Sequence, residues 1–558
     1  MEIVTTSVDS GFGSLRQAII NLTPGGGTIT FDPLITVVNI TSGELVIGAN
    51  ITIIGHGSGS PVISGNNTSR IFNISAGFTV NISDLTITNG TSINGGGIRN
   101  SGILMLDDVI VTGNSASDGG GIYNDSNGNM TISDSNISNN AYTNTGDRAG
   151  AGIYNLGTMN IQNSVIDSNG SLANPGFGGG GGVYNTSNAN LTINNTIINN
   201  NYGTRGGGIL NELSSTIMIT NTTISNNNAT SLTGGGINNN ASTITMVNST
   251  ISNNIANTSG GGVRSGGTGA TMFLTNVTIS YNTASTNAGG IFNVSPSVIN
   301  IGNTIVASNI APVDTDVRGA FVSAGNNLIG VVGTATGFGG TDIINTAANL
   351  GPLANNGGPT PTIMPNLGSP AIDNGNNALI VGYDTDQRGY VRIINGIVDI
   401  GAVEFGSVPI CFSGESTILV RHKLTNQISE VAAKNIIASL YDVFSVAKND
   451  FVPIRLNFVV GPTTRYMKIE KDLLEMGKPN ADFYVTTGHK IVVDGIETKA
   501  KNIPHAKIVK TKPSYVYSIC IDERGPILVN NLHVIAWGYN EWIKYSVDKK
   551  LSWWDNKQ

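Results

Sequence analysis

The sequence predicts an all-β protein in which a long parallel β-helix precedes a second, smaller all-β domain. Variants of one hexapeptide recur between Gly95 and Asn293, with starts 24 to 31 residues apart. Segments that alternate polar with β-branched residues lie between them, which indicates strands. The composition then changes abruptly at Cys411. Short strands repeated at this period bury their apolar face only by stacking on the next repeat, and such stacking produces a β-helix.

The hexapeptides have the form GGGIxN, for example GGGIRN at Gly95–Asn100 and GGGIYN at Gly119–Asn124. Successive turns stack about 4.8 Å apart, so equivalent residues lie above one another. The fourth position predicts an aliphatic stack made of Ile98, Ile122, Ile153, Val183, Ile209, Ile237, Val263 and Ile291. The sixth position predicts an amide ladder made of Asn100, Asn124, Asn155, Asn185, Asn211, Asn239 and Asn293. A second ladder is predicted for Asn195, Asn221, Asn248 and Asn276.

The composition separates two parts of the chain. The first 410 residues hold 9 basic and 21 acidic residues and no lysine, whereas the last 148 hold 20 basic and 15 acidic residues. The net charge of −7 and the lysine-free first part argue against a nucleic-acid partner. The amino terminus lacks the pattern of a signal peptide. No run reaches the roughly 18 apolar residues that a membrane span needs, so none is predicted.

Both ends of the first part carry family-like motifs. Ser10–Ile19 reads SGFGSLRQAI, and the close contains Asp386–Arg392 (DQRGYVR) and Asp399–Phe405 (DIGAVEF). With the GGxI repeats, these segments resemble the right-handed β-helix domains of polymorphic outer-membrane proteins and related surface adhesins. The resemblance covers residues 1–405. It implies a structural or adhesive protein outside the cell, on its surface or on a virion, with glycans or surface and virion proteins as partners.

A carbohydrate enzyme is an alternative for the β-helix. Glycoside hydrolysis needs two carboxylates about 5 to 10 Å apart. Asp107 and Asp108 are adjacent, so a strand would point them to opposite faces. Asp84 and Asp108 are about one turn apart and form a candidate pair. A polysaccharide depolymerase therefore stays open as a third interpretation.

From residue 411 onward the pattern predicts a small β-rich domain with one short helix at Ile428–Ser439. The candidate chemistry lies in Cys411, in Thr486-Thr-Gly-His489 directly after a strand, and in the late strand ending at His533. The predicted strands are Ser416–Arg421, Asp442–Ala447, Val452–Val460, Thr464–Ile469, Phe483–Thr486, Lys490–Val493, Tyr515–Ile521 and Pro526–Val529.

The opening CFSGESTILV, the Thr486-x-x-His489 block and the closing Ser518–His533 resemble the Hint superfamily of Hedgehog autoprocessing domains and inteins. This resemblance implies that the Cys411 thiol attacks the Ile410 carbonyl to form a thioester. His489 would polarise the scissile amide and protonate its nitrogen, with Thr486 helping to position it. Water or a thiol then releases the β-helix. Cys520, Asn530 and His533 are accessory candidates.

Differences from the Hint superfamily pattern limit which reaction is expected. The chain continues past Asn530-Asn-Leu-His533 without the terminal His-Asn of splicing inteins, so cleavage is expected and splicing is not. Few residues follow Trp537, which argues against sterol transfer. No metal site and no cofactor are predicted. The expected domains are a β-helix at residues 1–405, a linker at 406–410 and an autoprocessing domain at 411–558. A non-processing adhesin with a degenerate Hint domain is the main alternative.

Overall fold

The computed structural model describes most of the first 407 residues and a set of strands after them. The described residues are 1–23, 25–57, 59–143, 150–170, 179–383, 385–407, 412–413, 417–423, 428–432, 441–445, 450–453, 456–469, 483–485, 490–493, 496–499, 507–521, 525–529 and 532–538. The chain divides into two compact units. Their residues are Met1–Asn356, Thr360–Tyr383 and Asn395–Phe405 for the first unit, and Gly357–Pro359, Asp384–Ile394 and Gly406–Gln558 for the second.

The first unit is a parallel β-helix, which confirms the predicted fold class. Each turn contributes up to four short strands, three of them in long ladders, and each strand pairs in parallel with the equivalent strand one turn later. The first of these ladders contains thirteen strands. They are Glu2–Val4, Gly27–Phe31, Ile51–Ile54, Thr79–Ser83, Ile103–Asp107, Asn129–Ser133, Thr158–Gln162, Asn190–Asn194, Thr216–Thr220, Thr243–Ser252, Thr271–Ser280, Val298–Gly302 and Val322–Gly325.

The second ladder follows a corner after the first, and two long strands, Thr243–Ser252 and Thr271–Ser280, take part in both ladders. Its remaining strands are Val37–Asn39, Val62–Ser64, Thr86–Thr88, Ile110–Thr112, Asn136–Ser138, Val165–Asp167, Ile197–Asn199, Thr223–Ser225, Ile305–Ala307, Leu328–Ile329 and Ile343–Ile344.

The third ladder contains the hexapeptides. Its strands are Leu45–Ile47, Phe72–Ile74, Ile98–Asn100, Ile122–Asn124, Ile153–Asn155, Val183–Asn185, Ile209–Glu212, Ile237–Asn240, Val263–Gly266, Ile291–Asn293 and Val317–Arg318. Short bridging strands lie between the second and third ladders. They are Thr91–Asn94, Ser115–Asp118, Ala141–Tyr142, Tyr202–Gly203, Asn228–Ala229, Ile255–Ala256 and Thr283–Ala284.

The aliphatic stack is confirmed. Ile98 pairs with Ile122, Ile122 with Ile153, and the register continues in this way to Ile291. All eight side chains of the predicted stack are fully buried. Burial of one such side chain stabilises the folded chain by about 1.5 to 3 kcal/mol. The first glycine of the hexapeptide supplies the corner before the strand, because Gly95 and Gly119 have φ of 67° and 63°.

The first amide ladder is confirmed over six residues. The side-chain Nδ2 of Asn100 donates to Oδ1 of Asn124 at 2.8 Å, and the pattern repeats to Asn239 at 2.7–3.0 Å. There Nδ2 of Asn239 donates to the Ser265 hydroxyl, so Asn293 is not part of the continuous ladder. The ladder satisfies fully buried amides that would otherwise destabilise the core.

The second amide ladder differs from the predicted one. Asn195, Asn221, Asn248 and Asn276 instead occupy a left-handed corner, with φ of 47–54°. An asparagine tolerates this conformation because its short polar side chain bonds locally. The observed ladder runs, at 2.9–3.1 Å per step, through Asn114, Asn140, Asn169, Asn201, Asn227, Asn254, Asn282 and Asn309.

This second ladder ends on the buried carboxylate of Asp316. Oδ1 of Asp316 accepts both the backbone N–H and Nδ2 of Asn309, each at 2.9 Å. Oδ2 accepts the N–H of Val331 at 2.8 Å. Burial raises the pKa of Asp316, and these hydrogen bonds oppose the rise. An aspartate suits this position because donors approach both of its oxygens.

The amino-terminal motif closes the first turn of the β-helix. Helix Leu15–Leu22 begins after Ser14, whose hydroxyl accepts the N–H of Gln17, and it buries Leu15, Ala18, Ile19 and Leu22. Arg16 binds Asp9 at 2.8 Å and donates to the carbonyls of Gly43 and Glu44. These contacts explain the SLRQAI sequence.

After the last turn, the chain returns along the flank of the β-helix. The antiparallel strands Leu350–Ala354 and Thr362–Pro365 form a hairpin, and a short 3-10 helix covers Asn377–Ile380. The Tyr281 hydroxyl donates to the Leu350 carbonyl at 3.0 Å, and the backbone N–H of Ala402 donates to the Thr278 hydroxyl at 3.0 Å.

The second unit is described mainly by its strands, which are largely antiparallel. They are Phe412–Ser413, Thr417–His422, Ile428–Ala432, Tyr441–Ser445, Asp450–Pro453, Leu456–Ile469, Phe483–Val485, Lys490–Val493, Ile496–Lys499, Lys507–Ile521, Gly525–Val529 and Leu532–Gly538.

One local prediction for this unit is wrong. The helix predicted at Ile428–Ser439 begins as the strand Ile428–Ala432, which forms an antiparallel hairpin with Thr417–His422. Ile428 pairs with Arg421 and Val431 pairs with Ile418. The β-branched residues Ile428 and Val431 suit a strand, and pairing with the preceding strand outweighs local helix propensity.

Candidate functional site

The structure gives the surroundings of the predicted site through the residues that flank it. Ile410, Cys411, Thr486, His489 and Asn530 lie outside the described residues. Phe412, Val485, Lys490 and Val529, which are immediate sequence neighbours of four of them, lie in described strands. The backbone pairing of those strands therefore shows which segments meet.

Phe412 lies in a strand that pairs with two other strands from distant parts of the chain. It pairs antiparallel with Val485 on one side and with Tyr517 on the other, and Ser413 pairs with Val516. The strand of Val485 also pairs with Leu456–Ile469, through Met467. The residue after Cys411 and the residue before Thr486 are thus direct partners in one sheet.

The described accessory candidates lie in neighbouring strands. Cys520 pairs with Leu456 in an antiparallel ladder and with Trp537 in a parallel one. It is three residues beyond Tyr517, or about 10 Å along the same strand. His533 pairs with Val492 and with Leu528. Because Val492 is three residues after His489, the strand of His533 borders the strand that follows the Thr-x-x-His block.

The segment before Ile410 is also held within the second unit. Ser407 is buried, and its hydroxyl donates to the Val391 carbonyl at 2.8 Å. Asp386 binds the guanidinium of Arg388 at 2.7 Å, and both side chains are buried. The other Asp386 oxygen accepts the N–H groups of Arg388 and Tyr390. No role is predicted for Ser407 from the sequence, because a single serine in a linker does not form a recognisable motif.

Among the described residues, three carboxylates of the first unit lie close enough together to offer ligand atoms to a metal ion. The oxygens of Asp373, Asp399 and Glu404 lie within 4.8 Å of one another. Asp399 already accepts the N–H groups of Asp373 and Phe405, and Glu404 accepts the N–H of Asp399. The carboxylates therefore have a structural role in ordering the segment that contains them.

The candidate carboxylate pair of the β-helix occupies equivalent corners. Ser83 pairs with Asp107, so Asp84 and Asp108 follow at matching positions on consecutive turns. Both are left-handed, with φ of 60° and 51°. Asp107 is exposed and its Oδ1 accepts from the Ser133 hydroxyl at 2.7 Å. The structure thus places Asp84 and Asp108 as neighbours in one column.

Solved structures give three likenesses of low identity. A DnaB intein from Synechocystis sp. is 12% identical with a TM-score of 0.17, and the match covers 23% of this chain and 99% of the intein. The pectate lyase Pel9A is 14% identical with a TM-score of 0.40, covering 72% of this chain and 96% of the lyase. ORF18 of Geobacillus virus E2 is 14% identical with a TM-score of 0.28, covering 57% and 61%.

No protein-family model matches the sequence, and no curated protein matches it. Within the described part of the chain, no helix is both long enough and apolar enough to cross a membrane.

Proposed function

We propose that this chain is a β-helix surface or virion protein whose terminal domain cleaves the Ile410–Cys411 bond through a thioester. The observation that supports the proposal is the pairing of Phe412 with Val485. Phe412 directly follows Cys411 in the chain, and Val485 directly precedes Thr486. The pairing therefore supports a cysteine nucleophile that works together with the Thr-x-x-His block.

The reaction begins as an intramolecular acyl shift. The Cys411 sulfur adds to the Ile410 carbonyl carbon, the C–N bond breaks, and the thiol proton is transferred through His489 to the departing nitrogen. Orientation of the two groups supplies most of the rate. A water molecule or an external thiol next attacks the same carbonyl carbon. The C–S bond breaks, Cys411 recovers its thiol, and the β-helix leaves with a new carboxyl or thioester end.

The assigned roles follow from the chemistry of each side chain. His489 donates a proton to the Cys411 nitrogen as the amide breaks, because a neutral amine is a far better leaving group than an amide anion. Thr486 helps to position the scissile bond. Cys520, Asn530 and His533 remain accessory candidates. The proposal needs no cofactor.

The β-helix would serve as a stiff structural or adhesive element. Its stacked aliphatic side chains and two amide ladders fix the backbone of the turns between Asn100 and Asn309, so the outer faces of these turns present a regular array. Glycans or surface and virion proteins are the proposed partners.

Expression of the full chain and of a Cys411→Ala variant, with and without dithiothreitol, tests the cleavage. On a denaturing gel, dithiothreitol should split the wild type into fragments of residues 1–410 and 411–558 and leave Cys411→Ala intact. Cys520→Ala removes the other thiol, and continued cleavage in this variant would assign the reaction to Cys411 and exclude an accessory role for Cys520. A wild-type chain that stays full length under thiol would favour the non-processing adhesin.

A polysaccharide depolymerase has one supporting observation, the column that contains Asp84 and Asp108. Equivalent positions are about 4.8 Å apart, near the separation of a retaining carboxylate pair. Reducing ends released from a glycan panel by the wild-type chain, and not by Asp108→Asn, would support this alternative.

A further inference from the structure

Ser407 is the last described residue before the proposed scissile bond, and its side chain is fixed. Its hydroxyl donates to the Val391 carbonyl in a buried hydrogen bond of 2.8 Å. Only Val408, Pro409 and Ile410 separate it from Cys411. Whatever fixes Ser407 therefore limits where the Ile410 carbonyl can lie.

The partner of Ser407 belongs to a rigid turn. Asp386 accepts four hydrogen bonds from this turn: the N–H groups of Arg388 and Tyr390, and Nε and Nη2 of Arg388. The Arg388 guanidinium also lies 4.5 Å from the centroid of the Tyr390 ring. Charge-assisted hydrogen bonds are about twice as strong as neutral ones, so the turn resists displacement.

Gly358, which lies outside this turn in the sequence, leaves room for the backbone of the turn. A Cβ added to Gly358 would lie 2.4 Å from the Arg388 Cα and 2.7 Å from its carbonyl oxygen. Gly358 also has φ of 82°, which disfavours any other residue. Backbone thus approaches backbone at this point, and a side chain on residue 358 would displace Arg388.

On the other side of the scissile bond, Phe412 is fixed by pairing with Val485 and Tyr517. Four residues join Ser407 to Phe412. A link of five peptide units spans at most about 17 Å. Holding the ends of so short a link lowers the conformational entropy that opposes an intramolecular reaction.

We propose that Ser407 and the turn Asp386–Val391, here called the acyl-side anchor, position the Ile410 carbonyl for attack by Cys411. The inference rests on the proposed function. It assigns to residues before the cleavage site a positioning role that the terminal domain alone would not provide.

The test measures the first-order rate constant for fragment formation at saturating dithiothreitol in the full chain. Ser407→Ala should lower it about three- to tenfold, because one hydrogen bond to the anchor is lost. Ser407→Thr keeps the hydroxyl and should restore the rate to within about twofold of wild type. Gly358→Ala, which displaces the turn from a different segment, should also slow cleavage.

Ser280→Ala is the matched control, because the buried Ser280 hydroxyl likewise donates to a backbone carbonyl, that of Ala307 at 2.6 Å. It lies in the β-helix and should leave the rate unchanged, with melting temperatures recorded for every variant. Ser407→Ala cleaving at the wild-type rate, or Ser280→Ala slowing equally, overturns the anchor alone. A wild-type chain that yields no thiol-dependent fragments overturns the proposed function together with the anchor.

Discussion

The β-helix and the terminal domain pair their strands over very different distances along the chain. In the β-helix, Ile98 meets Ile122 and Asn100 meets Asn124, each one repeat later. In the terminal domain, Phe412 meets Val485 and Tyr517, which are 73 and 105 residues further along. The first arrangement reproduces one environment many times, whereas the second creates a single environment from segments that occur once. The proposed cleavage uses the second kind, because its nucleophile and its proton donor are different groups.

This contrast is tested most strongly by His489→Ala. Loss of the proposed proton donor should lower the rate constant for thiol-dependent cleavage about a hundredfold or more, while the melting temperature of the β-helix stays constant. Gel densitometry against time gives the rate. His56→Ala replaces an exposed histidine of the β-helix and serves as the control. If His489→Ala cleaves normally, the terminal domain has no unique site at this residue.

The corresponding test of the β-helix is Asn201→Ala, a change in the second amide ladder. Asn201 is fully buried, donates to Asn227 and to the Ile166 carbonyl, and accepts from Asn169. Its loss leaves several buried groups unsatisfied and should lower the free energy of unfolding by about 3 kcal/mol or more. Urea denaturation measures this.

Asn136→Ala is the control for Asn201, because Asn136 is exposed in a strand of the same β-helix. It should change stability by less than about 0.5 kcal/mol. Cleavage at Cys411 should proceed at the wild-type rate in both variants. A cleavage defect in Asn201→Ala would show that the two regions are not independent.

The smallest expected effect is that of pH on the stability of the first turn of the β-helix. Burial raises the pKa of Asp9, but hydrogen bonds from Ser42, Thr41 and Arg16 outweigh it and leave the pKa below its ordinary value of 3.8. A lowered folded pKa stabilises the fold above the unfolded pKa, and this contribution is lost as the pH falls through the folded value.

Asp9→Asn should therefore cost about 1 kcal/mol near neutral pH and less in acid. Urea midpoints at about pH 6 and about pH 2.5 measure the difference between variant and wild type. An equal difference in urea midpoint between variant and wild type at both pH values would show that the Asp9 charge does not stabilise the first turn.

The sequence was most informative where the repeat placed one residue type at a fixed position. The GGGIxN hexapeptide predicted both the aliphatic stack and the ladder from Asn100 to Asn239, because its period can be counted directly. The ladder from Asn114 to Asn309 was missed. Asparagine is abundant in every turn, and repeats of 24 to 31 residues do not reveal which asparagines align.

In the terminal domain, sequence motifs predicted which residues belong together but not how the chain brings them there. The helix expected from Ile428 begins as a strand, Ile428–Ala432, because hairpin pairing with Thr417–His422 decides its conformation. Ser407 has no motif, and its role depends on a hydrogen bond to Val391 that only the fold reveals. The joint placement of Cys411, Thr486 and His489 stays a prediction.

The second amide ladder has a direction, since every Nδ2 donates toward the next turn. At its start, Oδ1 of Asn114 accepts the backbone N–H of Gly90. At its end, Asp316 accepts the amide hydrogens of Asn309 and has no amide of its own to donate. The ladder therefore ends inside the β-helix, where the N–H of Val331 binds the remaining Asp316 oxygen. Because a carboxylate accepts hydrogen bonds and has none to donate, Asp316 fixes the polarity of the whole chain of amides.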